Sequence, residues 1–201
     1  MPWHDPVVHI ATDHRSPEVT LRDPVWAGRL AQLRDVTLPT LLARLDDHGV
    51  VDAFRRVVDD DPRPRRGLWF TDSDLYKWME AAALTGRLDL LEPGVDAVVA
   101  ARQPDGDLHT YYGVDGRPRF EDLANSHEWY CLGHLVEAAL AHRHATGSDR
   151  LLDVAVGAAD QLLSTFGPGL DERVDDHPEV ELALARLGRH TGDRRYTRFA
   201  R

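Results

Sequence analysis

Three Thr-Gly pairs set the organisation of this chain. They stand at Thr85-Gly86, Thr146-Gly147 and Thr191-Gly192, each behind an alanine- and leucine-rich segment and ahead of a second segment of helical periodicity. Glycine just past the last periodic residue is the usual stop for a helix, because it takes the left-handed conformation without a Cβ penalty. The spacing therefore predicts a repeated unit of helix, tight turn, helix. Its first helices fall near 72–85, 127–146 and 178–191, giving two complete hairpins and a third begun. Stacked helical hairpins form an α-solenoid or a closed α/α toroid. The first helices are apolar around most of their circumference, as in EWYCLGHLVEAALA, whereas second helices such as DRLLDVAVGAADQLLSTF alternate between faces. All-round apolarity marks a buried helix and one-sided apolarity a surface helix. The expected fold is all-α, with an inner and an outer ring of helices.

Ahead of the repeats, VVHIA (7–11) and VTLR (19–22) read as short β segments, so residues 1–22 are expected to form an extended N-terminal segment and 23–201 the helical domain. Asp23-Pro24 has the chemistry of a helix start, a capping carboxylate followed by proline at the first helical position. Pro39 should kink or restart that helix, and Gly49 should end it.

Composition excludes several classes. A formal charge of −10 and the absence of a basic stripe argue against nucleic-acid binding. The basic stretch RPRRG at 63–67 follows three aspartates and reads as a solvated loop. No run approaches eighteen apolar residues, and the N-terminus lacks a signal-peptide pattern, so a cytoplasmic protein without a membrane span is expected. The single cysteine, Cys131, cannot form an internal disulfide or a multi-cysteine metal centre. Inside an apolar helix it reads as a small hydrophobe.

The stretch SHEWYCLGHLVEAALAHRHATG (126–147) carries four histidines. Zinc helices place ligands four residues apart, but His127 and His134 are two helical turns apart, about 10 Å of rise. His142 and His144 sit in the last turn, where the helix dipole tolerates positive charge. No metal site is expected. If the first helices run parallel, their N-termini share one mouth: TDSD (71–74), NSHE (125–128) and DDHPE (175–179). The long segment 103–126 and the segment 167–176 return to the same mouth, while the other end has only the tight turns. Asp72, Asn125 and Asp176 are plausible helix caps, and Asn125 with Glu128 has capping-box spacing. Asp74, Glu179 and Glu181 suit a helix start. Histidine is a poor cap, yet His127 and His177 occupy equivalent positions. A neutral imidazole offers one donor and one acceptor, which suits paired sugar hydroxyls.

The runs FTDSDLYKWMEAAA, ARQPDGDLHTYY, the 126–147 stretch, FGPG and DHPEVELALARLGRHTGDRRY together resemble the β-L-arabinofuranosidase-type glycoside hydrolases of family 127, from about Val19 onward. The resemblance implies the N-terminal half of a catalytic (α/α)6 barrel. It implies sugar contact by His127, in HEWY, and His177, in HPEVE, with Asp72, Asp74, Glu128 and His109 as weaker candidates. It also implies retaining hydrolysis of terminal β-L-arabinofuranosides through a covalent glycosyl-thiolate. In that family the acid/base glutamate, the cysteine nucleophile and the zinc ligands belong to the later part of the barrel. This chain stops at Arg201, so it is expected to be truncated and inactive alone, with no catalytic residue, metal or cofactor of its own and zinc confined to full-length members. Asp107 and His109 replace the family's tyrosine and asparagine. The expected partner is an arabinofuranoside. The open edge of a half-barrel, with Val180, Leu184, Leu187 and Tyr196, is expected to be exposed and to drive self-association. Competing readings are a non-catalytic sugar-binding relic, a helical interaction scaffold, or another (α/α)6 sugar enzyme such as an unsaturated glucuronyl hydrolase.

Overall fold

The computed structural model describes residues 23–201; the extended segment expected at 1–22 lies outside them. The described residues are helical: α1 (Pro24–Gln32), α2 (Leu38–Asp47), α3 (Val50–Val58), α4 (Asp72–Leu84), α5 (Leu88–Ala100), the short α6 (Leu123–Ser126), α7 (Glu128–Thr146), α8 (Arg150–Thr165), α9 (Glu179–Thr191) and α10 (Arg194–Phe199). Asp23 caps α1 by accepting from Val25 N at 2.8 Å and Trp26 N at 3.2 Å. A π-helical turn, Leu33–Thr37, joins α1 to α2 just before Pro39. Proline has no amide hydrogen to donate, and widening the preceding turn accommodates it as a bend rather than a break.

The three Thr-Gly turns share one design. Gly86, Gly147 and Gly192 have φ of 72°, 75° and 76°. Thr85, Thr146 and Thr191 each donate their hydroxyl four residues back, to Ala81 O at 2.7 Å, His142 O at 2.8 Å and Leu187 O at 2.9 Å. The hydroxyl covers a carbonyl and the glycine reverses the chain. The inner layer is α4, α7 and α9 side by side, with α5, α8 and α10 packed behind them. A further hairpin precedes them, α2 against α4 and α3 against α5. The sequence reading missed α3, whose valine-rich VVDAFRRVV has weak helix propensity and follows a lone glycine. Burial of Val50, Val51, Ala53 and Phe54 holds it in place.

Two expectations are corrected. Arg65 of the basic stretch is not solvated: its side chain is 1% exposed and paired with Asp72. The α9 edge is not an apolar opening either. Val180, Leu184, Leu187 and Tyr196 are all buried, because α10 folds back on α9 and Tyr196 donates to Asp160 of α8 at 2.9 Å. What is corrected is the exposure expected of these four residues; Leu182, also on α9, stays exposed. No helix among the described residues is long and apolar enough to cross a membrane.

Candidate functional site

The starts of α4, α7 and α9 meet at one mouth, as the parallel inner layer requires. His127 is the residue before α7, at φ 54° and ψ 28°, a left-handed conformation uncommon outside glycine. This backbone ends α6 and starts α7. His177 lies just ahead of α9. The rings meet edge to face with centroids 4.4 Å apart. Tyr130, one turn into α7, is 5.0 Å from the His177 ring and 6.1 Å from the His127 ring. Trp69 stacks over His127 at 6.4 Å, and Phe70 meets it edge-on at 5.2 Å. Trp69 is fixed by its indole N–H donating to Asn125 O at 2.9 Å. Two imidazoles thus sit in a partly open aromatic surround.

Carboxylates hold this arrangement from below. Asp175, whose side chain has no solvent exposure, accepts from Trp129 N at 3.1 Å and His177 N at 3.0 Å, tying the start of α7 to the approach of α9. Burial pushes its carboxyl up. Asp176 feels slight desolvation, but the hydrogen bond with His177 holds it below the ordinary range; Asp176 Oδ1 is 2.7 Å from His177 Nδ1. Beside them Lys77, the chain's one lysine, bridges Asp74 at 3.0 Å and the Tyr130 hydroxyl at 3.2 Å. His134 packs edge-on to Tyr130 at 4.5 Å, and burial together with the Lys77 charge lowers its pKa to about 4. His134 is therefore neutral at pH 7.

The weaker candidates divide. Asp74 reaches the mouth beside Lys77. Asp72, Glu128 and His109 are buried and hydrogen-bonded within the protein. Asp72 is no cap: it accepts from Arg65 at 2.9 Å and from Thr110 N at 2.7 Å and Thr110 Oγ1 at 2.5 Å. Glu128 accepts from Arg119 and from Phe120 N at 2.8 Å, so the capping box with Asn125 does not form. Asn125 instead donates to Asp122 at 3.0 Å. His109 accepts from Tyr111 N at 3.1 Å and Tyr112 N at 3.2 Å, and burial lowers its pKa. Asp107 pairs with Arg119. Asp107 and His109 thus brace the segment between α5 and α6. The pocket beside Asp107, Arg119 and Glu128 holds about 20 Å³, room for a water but not for a sugar. Cys131 is buried, its thiol donates to Phe70 O at 3.5 Å, and burial raises its pKa well above the usual value. Such a thiol is inert.

Sequence reasoning missed Trp69, Tyr130 and Lys77. The strongest available signal for Lys77 was its uniqueness among 24 basic residues. His142, just ahead of the last turn of α7, is buried 3.4 Å from Glu92.

Fold and mouth define an arc of an α/α toroid whose polar and aromatic side chains gather at the starts of the inner helices. Residues 18–201 match the family model for the β-L-arabinofuranosidase GH127 catalytic domain. The chain belongs to this glycoside hydrolase family. It is 35% identical to a non-reducing end β-L-arabinofuranosidase of Bifidobacterium longum subsp. longum, over 89% of this chain and 32% of that protein. The crystal structure of Ara127N-Se, a GH127 β-L-arabinofuranosidase from Geobacillus stearothermophilus T6, superposes with a TM-score of 0.85 at 33% identity. That match covers 92% of this chain and 32% of the other. A GH127 β-arabinofuranosidase, BT3674, gives 0.81 at 32% identity, over 90% and 32%. The chain spans about a third of the length of these relatives.

Proposed function

We propose that this chain supplies the sugar-binding mouth of a β-L-arabinofuranosidase-type glycoside hydrolase and does not hydrolyse the glycoside by itself. The observation that carries the reading is the His127–His177 pair, 4.4 Å apart at the mouth, in a chain of this family. With Asp176 on its Nδ1, His177 presents Nε2, and the His127 ring at right angles adds a second imidazole, so the pair can hold adjacent hydroxyls of one furanose. Trp69 and Tyr130 add apolar faces for the C–H side of the ring, and Asp74 and Lys77 add a further acceptor and donor.

Retaining hydrolysis needs a nucleophile and an acid/base on opposite sides of the anomeric carbon. The thiolate centre that the family resemblance implies requires several cysteines, and this chain has one, buried and protonated. These residues do not fit a zinc–thiolate site, so no step is assigned to Cys131. The chain's own residues bind and orient the sugar. A zinc-supplemented assay with p-nitrophenyl β-L-arabinofuranoside tests this directly. No turnover above background is expected; turnover abolished by Cys131→Ala would overturn the reading.

A further inference from the structure

The mouth brings together a donor set that the sugar reading does not require. His127, Asp176 and His177 each offer one ligand atom, and all of these lie within 4.8 Å of one another. Asp176 Oδ1 stands 2.7 Å from His177 Nδ1 and 4.0 Å from His127 Nδ1. A four-coordinate zinc ion, with bonds of about 2.0–2.1 Å, separates its donors by roughly 3.3 Å. The first distance must lengthen and the second shorten, each by less than an ångström, and the His127–His177 nitrogen separation, which lies within 4.8 Å, must close by up to about 1.5 Å. His127 Nδ1 is shielded from solvent and has no hydrogen-bond partner. A buried polar nitrogen left unpaired is costly, and a cation at the centre of the triangle would satisfy it.

We propose that His127, Asp176 and His177 form a binding site for a borderline-soft divalent cation, Zn²⁺ being the natural occupant. Two imidazoles and one carboxylate favour zinc or a later first-row metal over Mg²⁺ or Ca²⁺, which seek oxygen donors. Three protein ligands leave a fourth position, and it opens to solvent because Asp176 and His177 keep 52% and 36% of their side-chain surface exposed. The ligands are pre-placed from two directions: Asp175 anchors the His177 backbone, and the left-handed residue at 127 aims its ring across. The overall charge of −10 favours a cation approaching this mouth. The donor set uses no thiolate. Its occupant would take nitrogens that the proposed sugar contacts also use, so ion and furanoside compete.

The test is calorimetric titration of the full chain with Zn²⁺ alone, with Co²⁺ as a visible-absorption probe of geometry. One Zn²⁺ per chain and the strong d–d bands of four-coordinate Co²⁺ are expected. Asp176→Asn and His177→Gln should each weaken binding at least about tenfold with the far-UV dichroism unchanged. His127→Asn, a residue that tolerates left-handed backbone, reads the third ligand if either of the others fails to fold. Absence of a Zn²⁺ isotherm would overturn the proposal. So would an affinity unchanged in the variants, which would place the ion at others of the 11 histidines. No sugar enters the experiment, so its outcome bears on this site alone and leaves the sugar reading to a separate measurement.

Discussion

The start of α9 rests on Gly133: a Cβ added to this glycine would stand 2.7 Å from Glu179 Cγ and 3.0 Å from Val180 N. This contact lets α9 press onto α7 closely enough for His177 to reach His127. Because backbone atoms are among the neighbours, the crossing cannot open without moving the mouth.

Gly133→Ala should therefore destabilise the chain. Overpacking a fitted core costs about 1–3 kcal/mol, and the helix-propensity gain of about 1 kcal/mol offsets only part of it. Gly28 gives the opposite sign: it is exposed in α1 with nothing within 4 Å of an added Cβ. Gly28→Ala should stabilise by about 0.5–1 kcal/mol where α1 unfolds with the rest. Urea denaturation of both variants reads the two signs.

The hairpin frame was readable because its punctuation is local. Each Thr-Gly turn carries its own hydroxyl bond and its own left-handed glycine, so the signal lies within a few residues. The equivalence of His127 and His177 followed from that frame. What could not be read was long-range polar pairing. Asp72 has the sequence signature of a helix start, and only the tertiary approach of Arg65 and Thr110 makes it a buried partner instead. Glu128 is likewise claimed by Arg119 and Phe120 from a loop. The α9 edge misled because α10, although short, places Tyr196 over it.

The Arg65–Asp72 pair should be costly to break from one side. Both side chains are within 1% of full burial, and Asp72 anchors Thr110 in the long segment between α5 and α6. Arg65→Met leaves a buried carboxylate without its cation and should cost about 3–5 kcal/mol. Adding Asp72→Asn should recover part of that loss. Denaturant midpoints for the two variants check the order, and hydrogen exchange at the Thr110 amide should accelerate in the first.

His134 links stability to pH. Its folded pKa of about 4 lies below the usual histidine value near 6.5, so between those values the unfolded chain binds more protons than the folded one. Stability from this group is full above about pH 6.5 and is lost as pH falls toward 4. The loss amounts to about 2–3 kcal/mol at most, since the ring is only partly enclosed. His134→Gln should flatten the acid limb between pH 6.5 and 4 in a comparison of melting temperatures. Equal slopes for the two proteins would refute this assignment.

In the proposed function His127 and His177 act together as a furanose-binding pair. Saturation-transfer NMR of the full chain with methyl β-L-arabinofuranoside tests it most directly, in the wild type and in His127→Asn and His177→Ala. Transfer to the sugar is expected in the wild type and is lost in both variants, with His142→Ala unaffected. No transfer in the wild type, or transfer that survives in both variants, would contradict it.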